Sequence, residues 1–480
     1  MRSERLTFGH GSLAPVPSRT TAAAAALAHE AQPVRLLRLE TWDWGWGGLL
    51  MFSVLLFFRP QDQITALLGE LHLSDISAII GLAGMVIVNL GRREPLFRMT
   101  PEVGAVFFLG SVILITAPFS IWPGGAVGVF TDMYMQVMLI FLLMVNTVTS
   151  PKRIDRICWV IVVAFGYIAT KVVFDYLRGV NLVEGNRAAG PAGGFFENPN
   201  DLALNLAAFL PLALMYMRRP GSSIRRLLAA GVAVMMFLAL VFTKSRGGFI
   251  AALAMIPAYL LVARLLKPGM LIALVFAGLI TVPMIPGTFW DRMASITDAE
   301  RDTTGSRQER IELMKQAWRV FLAYPFTGVG AGQFQNYQEP GQVQHWRVTH
   351  NTPLQFAAEL GVLGVIGMFF LFFRGLAAAR RVQKTLRGAL RATTGGGRRA
   401  PPDPEDGLEP AERQMLNEHA AALIACMVAW FVAAQFASVG YNWTLYYLLG
   451  LCVTTRDVVR ARARAYARAR TIGGQEIVAA

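Results

Sequence analysis

Runs of apolar residues follow one another along most of the chain, separated by shorter polar stretches. Twelve of these runs predict helices, near residues 45–58, 74–90, 103–119, 126–148, 157–177, 201–217, 227–243, 247–263, 269–286, 353–373, 418–438 and 441–455. They lack the alternation of apolar and polar positions that is typical of membrane β-barrel strands. Backbone at membrane depth must also satisfy its own hydrogen bonds. The pattern therefore predicts an all-α polytopic integral membrane protein with about twelve transmembrane helices.

Composition agrees with this fold class. The 480 residues are 54% hydrophobic and 16% charged, whereas soluble domains carry about 25% charged residues, so a purely soluble enzyme is not expected. The three cysteines, Cys158, Cys426 and Cys452, lie far apart and within apolar runs. This spacing is typical of neither a disulfide framework nor a zinc site, and we expect no metal and no cofactor.

The distribution of positive charge predicts the orientation. The chain has a formal net charge of +14; with both termini inside, inner segments hold 32 of its 45 Lys and Arg and outer segments hold 12, while Lys171 lies within a span. Cytoplasmic loops carry such an excess, so both termini are predicted to be cytoplasmic. The basic residues of 456–470 are not accompanied by a set of aromatic residues for base stacking, so we expect membrane lipid, and no nucleic acid, as their partner.

Three segments on the inner side complete the predicted organisation around a membrane domain at 44–455. Residues 1–43 contain no long apolar run and predict a disordered cytoplasmic tail. Residues 374–417 have arginine-rich flanks around glycine and proline, which predicts a flexible cytoplasmic loop. Residues 456–480 are predicted to form a basic cytoplasmic tail.

The largest outer segment, 288–352, lies between the ninth and tenth spans and is too long for a simple connection. Within it, apolar residues recur at helical spacing over 311–323, which predicts a short amphipathic helix against the membrane or the bundle. Long structured loops usually carry function. We therefore expect any chemistry on the outer face.

Three arginines lie in predicted outer segments, although most Lys and Arg residues lie in inner segments. Arg187 lies in a glycine- and proline-rich loop that ends in helix N-cap residue types at 200–201, Arg246 is held between two spans, and Arg307 precedes the amphipathic helix. A cation within a bilayer costs about 2.5–3.5 kcal/mol on insertion scales, so such residues are usually functional. Guanidinium groups beside helix N-termini favour a phosphate-bearing ligand, although each arginine could instead extend to the lipid headgroups.

His350 is the candidate general base, because it lies where the outer loop re-enters the membrane and histidine titrates near neutral pH. His345 is a nearby rival, and a structural role is the alternative for either. Lys171 and Asp175 are spaced as an ion pair on one helix, and Glu359 within a span is expected to be a buried acid or hydrogen-bond partner. We expect a structural role for the Lys171–Asp175 pair and for Glu359.

Several short motifs stand in a distinctive order around these residues. They are TKSRGG at 243–248, GSR at 305–307, Trp318, YPFTGVG at 324–330, HN at 350–351 and ELGVLG at 359–364. In this order and topology the chain resembles the O-antigen ligase/polymerase superfamily of bacterial envelope glycosyltransferases. The similarity runs from about Arg187 to Gly367, and the layout of spans around one large outer loop extends it to most of the chain.

The resemblance implies a metal-independent enzyme of the bacterial inner membrane with a periplasmic active site. It would transfer a glycan from undecaprenyl pyrophosphate to an acceptor sugar hydroxyl, with inversion. Arg246 and Arg307 would bind the pyrophosphate, with help from Arg187, and His350 would take the proton of the acceptor.

The motifs do not separate a polymerase of repeat units, for O-antigen, capsule or exopolysaccharide, from a ligase onto lipid A core or a protein O-glycosylating transferase. We favour the polymerase, with a chain-length regulator as a possible partner. From another class, a lipid-linked glycan flippase or transporter would share the span count. It should show paired repeats with broken helices, which the sequence does not indicate, and a structural scaffold would not need the three site residues.

Overall fold

The computed structural model describes residues 43–60, 71–93, 95–184, 186–191, 196–269, 272, 276, 279, 287–294, 306–338, 347–394 and 407–478. Within these residues the chain is almost wholly helical, which confirms an all-α polytopic membrane protein. Residues Asp43–Ala467 form one compact unit. The predicted N-terminal tail lies outside the described residues, except for Asp43.

The helices are, in chain order, α1 Trp44–Phe58, α2 Leu73–Gly91, α3 Pro101–Thr116, α4 Pro123–Val129, α5 Met135–Thr147, α6 Pro151–Leu177, α7 Pro199–Arg218, α8 Ser223–Phe242, α9 Arg246–Val262, α10 Gly287–Ala294, α11 Ser306–Ala323, α12 Thr352–Thr394, α13 Pro410–Ala433 and α14 Trp443–Val478. A π-helical turn, Phe130–Tyr134, joins α4 to α5. Strands β1 Leu182–Val183 and β2 Arg187–Ala188 form an antiparallel hairpin between α6 and α7.

Eight helices among the described residues are long and apolar enough to cross a membrane: α2, α3 with its following 3₁₀ turn, α4–α5, α6, α7, α8, α12 and α13. Helices α1 and α9 coincide with predicted spans but have only 15 and 17 residues. The predicted span at 269–286 lies almost entirely outside the described residues, and the last one falls within α14. The total of twelve therefore stays a prediction.

The cytoplasmic loop predicted at 374–417 is helical in its first half, because α12 continues to Thr394. This stretch is rich in alanine, leucine, arginine and lysine, which favour helix. It buries Ala378, Val382 and Leu386 on one face, and Arg387 donates to the carbonyl of Val262. The arginines at 374–391 thus belong to α12, while residues 395–406 lie outside the described residues, so the loop there stays a prediction.

Buried carboxylates bind arginines at the helix ends that the charge pattern assigns to the cytoplasm. Glu102, at the start of α3, is fully buried and accepts hydrogen bonds from Arg456 at 2.7 and 3.0 Å and from Arg374 at 2.8 Å. Asp43 pairs with Arg153 at 2.5 Å. These ion pairs join α3 to α12 and α14, and the start of α1 to α6. The cations that define the predicted orientation therefore also hold the helices together.

A third junction of this kind is centred on Asp155 in α6. Its carboxylate binds Arg219 and, at 3.0 Å, Arg225, and it accepts a hydrogen bond from the Tyr216 hydroxyl at 2.9 Å. His419 of α13 lies 3.5 Å from the same carboxylate and is fully buried. Four helices are tied together at this one acidic residue.

We expect Glu102→Gln to destabilise the protein by up to about 3–5 kcal/mol, because it removes the buried counter-charge that Arg374 and Arg456 share and leaves Arg456 with only Asp457. Thermal unfolding of the purified protein in detergent measures the change. Glu312→Gln, at an exposed position on α11, is the matched control. Equal melting temperatures for the two variants would contradict a structural role of the Glu102 ion pairs.

Candidate functional site

The segment between α13 and α14, residues 434–442, lies against the turns that carry Arg246 and His350. We call it the 434–442 connection. The backbone N–H of Thr352 donates to the carbonyl of Ala434 at 2.8 Å, and the Thr352 hydroxyl donates to that of Ala437 at 2.7 Å. The Thr349 and Ser438 hydroxyls are hydrogen bonded at 2.8 Å. The start of α12, including the residues on both sides of His350, is therefore bound to this connection.

His350 itself occupies a turn with left-handed backbone (φ +50°) directly before α12. The Asn351 side chain caps the helix by accepting from the N–H of Leu354 at 2.9 Å, and it donates to the carbonyl of Gln435. These bonds fix the backbone on the C-terminal side of His350. No residue of the described ranges forms a hydrogen bond with its half-buried imidazole.

Burial, together with the positive charges of Arg310 and Arg347, lowers the pKa of His350 to about 4. The imidazole is therefore neutral at pH 7 and can accept a proton. Arg347 also forms an ion pair with Glu309 of α11 at 3.1 Å. This pair attaches the first turns of α11 beside the histidine.

Arg310 influences His350 electrostatically, and the sequence motifs did not single it out. It lies three residues after Arg307 on α11, and it is Arg310, not Arg307, whose charge acts on His350. Residues three apart lie on the same side of a helix, so this spacing could have suggested both arginines. The prediction for Arg307 remains a prediction, because the structure shows its position on α11 but no contact with His350.

Arg187 is buried within the protein, with 2% of its surface exposed. Its Nε donates to the carbonyl of Thr243 at 2.9 Å, its Nη1 binds Glu184 at 2.7 Å, and its Nη2 binds the side-chain oxygen of Asn200 at 2.8 Å. These contacts tie the β-hairpin to α7 and to the end of α8. They give Arg187 a structural role, and its predicted contact with pyrophosphate stays untested.

Asn200 therefore binds Arg187. It is not the N-cap of α7, although the sequence predicted the N-cap at 200–201. The helix begins at Pro199, whose fixed φ suits a first helical position, and Asn198 is the N-cap. Asn200 also accepts a hydrogen bond from the Ser245 hydroxyl at 3.0 Å. One side chain thus links the loop of Arg187 to the turn that precedes Arg246.

Arg246 is the first residue of α9 and is half-buried, with Ser245 as N-cap. A Cβ added at Gly247 would lie 2.5 Å from the Cβ of Phe436, so the start of α9 packs directly on the 434–442 connection. Phe436 and Ser438 are two residues apart, and two residues span at most about 7 Å. The turns that carry Arg246 and His350 are therefore held at neighbouring points of the same segment.

The YPFTGVG motif, residues 324–330, supplies hydrogen-bond partners at a break in α12. Gly361 has φ +66° and ψ −158°, which interrupts the helix about 14 Å along its axis from Thr352. The N–H of Val362 donates to the carbonyl of Pro325 at 2.8 Å, and the carbonyl of Ala358 accepts from the N–H of Val329 at 2.9 Å. A continuous helix would pair Val362 with Ala358, so the loop replaces the missing bond.

Glu359 is buried at this break and accepts hydrogen bonds from the Gly332 N–H at 2.8 Å and the Tyr441 hydroxyl at 2.9 Å. It therefore joins α12, the loop after the motif and the 434–442 connection, as its structural interpretation predicted. The ion pair between Lys171 and Asp175, at 3.2 Å, is also confirmed. Within the described ranges, no group of three or more His, Cys, Asp and Glu side chains is placed to bind a metal ion.

These features define a polytopic helical membrane protein in which the turns that carry Arg246 and His350 lie at one inter-helix connection. Residues 231–369 match a family model described as O-antigen ligase. This match contains Arg246, Arg307, Arg310 and His350, and it confirms the resemblance to the O-antigen ligase/polymerase superfamily in this part of the chain. No curated protein matches the chain.

We expect Arg310→Gln to raise the pKa of His350 from about 4 part of the way toward 6.5, because a repulsive positive charge is removed while burial remains. Diethyl pyrocarbonate modifies neutral imidazole, so the pH dependence of His350 modification, followed by peptide mass spectrometry, reports this pKa. Lys315→Gln, on an exposed part of α11, should leave the midpoint unchanged. Identical midpoints for the Arg310 variant and the wild type would contradict the arrangement.

We expect Gly361→Ala to destabilise the protein, because the new Cβ would meet the carbonyl oxygen of Pro325 at 2.5 Å in a left-handed backbone conformation. A positive φ combined with ψ −158° is essentially restricted to glycine, and such backbone strain costs about 1–3 kcal/mol for another residue. Gly231→Ala in α8 is the control, since its Cβ would meet nothing within 4 Å and alanine favours helix. A melting temperature for Gly361→Ala equal to that of the control would contradict the need for glycine at the break.

Proposed function

We propose that this protein is an envelope polysaccharide glycosyltransferase that polymerises glycan repeat units carried on undecaprenyl pyrophosphate. The observation that carries the proposal is the attachment of Arg246 and His350 to the same connection, within the segment that matches the O-antigen ligase family. Group transfer requires the reacting groups to be held in a fixed geometry. Attachment of both turns to one connection favours this more than two flexible loops would.

In the proposed reaction, the acceptor hydroxyl gives its proton to the neutral imidazole of His350 as its oxygen attacks the anomeric carbon. The bond between that carbon and the pyrophosphate oxygen breaks, and the electron pair leaves with the pyrophosphate. Attack from the opposite face inverts the anomeric configuration. Arg246 and Arg307, together with Arg310, stabilise the negative charge that develops on the leaving group.

The low pKa of His350 is consistent with this role once the donor is bound. A base works best when its pKa lies near the working pH, and the free protein holds this pKa near 4. An anionic pyrophosphate beside Arg310 and Arg347 would offset their charges and raise the pKa toward neutrality. The proposal thus couples the strength of the base to the presence of the donor. Arg187 contributes by holding the loop that precedes Arg246.

The proposal includes the setting that the sequence predicts: a bacterial inner membrane, cytoplasmic termini and a periplasmic active site. The partners are the lipid-linked donor glycan, the non-reducing or core sugar that accepts it, and a chain-length regulator. A ligase onto lipid A core would use the same site residues, so the identity of the product decides between the two activities.

We expect His350→Ala, Arg246→Ala, Arg307→Ala and Arg310→Ala each to fail to restore high-molecular-weight polysaccharide in a gene-deletion strain. Polysaccharide gels measure the product, and membrane levels are checked for every variant. Lys315→Ala, on the same helix as Arg310 but exposed, is the control that should restore it. Single repeat units at the surface would support polymerisation.

Long chains accumulating on undecaprenyl pyrophosphate would instead identify a ligase. Normal polysaccharide in all four variants would overturn the proposed site. In that case a role in transport of lipid-linked glycan would be favoured.

A further inference from the structure

A cavity whose lining combines polar and apolar residues adjoins the 434–442 connection at Tyr441. Its volume is about 210 Å³, and the residues that give it chemical character are Arg59, Ser74, Asp132, Gln136, Tyr441 and Trp443. They come from the end of α1, the start of α2, the π turn with α5, and the start of α14. None of these residues belongs to the site described above, apart from Tyr441, which also binds Glu359.

Asp132 is the unusual member of this lining. It lies within a candidate membrane span, Pro123–Thr147, about 14 Å along the helix from Pro123. Its carboxylate accepts a hydrogen bond from Thr131 at 2.8 Å, and no described residue forms an ion pair with it. An ionisable residue inside a span is usually functional. The π turn that contains it, Phe130–Tyr134, is of a kind often found at functional sites.

The chemistry of the lining selects the class of ligand. One positive and one negative side chain nearly balance, so neither a strong anion nor a cation is favoured. Asp132 accepts hydrogen bonds, and Ser74 and Gln136 both donate and accept them, which matches the hydroxyl groups of a sugar. The rings of Tyr441 and Trp443 supply the apolar surface that ligand sites combine with a few polar groups.

The cavity is also close to the proposed reaction. Tyr441 follows Ser438, which is bonded to Thr349 beside His350, by three residues. Three residues of chain span at most about 11 Å. The volume lies below the roughly 300–1,000 Å³ of pockets that enclose drug-sized ligands, so it suits one sugar unit of a longer glycan.

We propose that this cavity is a carbohydrate subsite that holds one neutral sugar unit of the substrate glycan through Asp132 and Gln136. The inference rests on the proposed function, since it supplies the sugar-binding part of the same enzyme. The subsite positions the glycan and takes no part in bond making or breaking.

The test measures sugar binding in the absence of transfer. The probe is the free repeat-unit oligosaccharide, released by mild acid from the polysaccharide of the host and lacking pyrophosphate. Binding to the protein in lipid nanodiscs, which avoid sugar-based detergents, is followed by saturation-transfer NMR. Asp132→Asn and Gln136→Ala should each weaken binding about tenfold, the effect of losing a hydrogen bond to a polar ligand.

The controls are Glu312→Gln and Gln414→Ala, which make the same kinds of change at exposed positions outside the cavity. Both should bind the oligosaccharide like the wild type. Melting temperatures verify that every variant is folded.

Equal affinity of folded Asp132→Asn, Gln136→Ala and wild type would overturn the subsite, as would absence of binding to the wild type. Failure of the proposed function has a different signature. It would appear as unchanged polysaccharide in the gene-deletion strain, whatever the binding measurements give.

Discussion

Backbone polar groups inside a bilayer find no water, so each must be paired within the protein. This constraint explains how α12 can be broken at Gly361. The carbonyl of Ala358 and the N–H of Val362, which the break separates, are paired instead with Val329 and with Pro325. The outer loop must therefore enter the bundle and pack against the helix. Because it does so, Glu359 can join the loop to Tyr441 and fix the 434–442 connection.

The same connection relates the other parts of the candidate site. It binds the start of α12 through Thr349 and Thr352, it packs on the start of α9 through Phe436, and it contributes Tyr441 to the cavity. The nine residues of the connection thereby hold together the start of α12, the start of α9 and the lining of the cavity, which are remote from one another in sequence. A reaction between a lipid-linked donor and a sugar acceptor needs such fixed geometry more than it needs unusual side chains.

Charge has two separate roles in the molecule. At the predicted cytoplasmic ends, buried carboxylates such as Glu102 and Asp155 bind arginines from several helices and hold the bundle together. At the predicted outer side, Arg310 and Arg347 act on His350 and lower its pKa. We expect removal of a carboxylate in the first group to lower the stability of the fold, whereas removal of an arginine in the second group should change the pKa of His350. The sequence showed the excess of positive charge but not this division.

Apolar periodicity determined the helical fold class and most helix positions, because burial in lipid or protein requires long apolar stretches. Short motifs in order indicated the resemblance to the O-antigen ligase/polymerase superfamily and drew attention to Arg246, Arg307 and His350. Tertiary structure alone decided that Arg187 is used within the scaffold, that Arg310 lies at the histidine, and that α12 is broken and continues to Thr394. It also placed Asp132 in a cavity. The physical reason is that pairing partners such as Arg187 and Asn200, or Val362 and Pro325, are far apart in sequence and are chosen only when the helices pack.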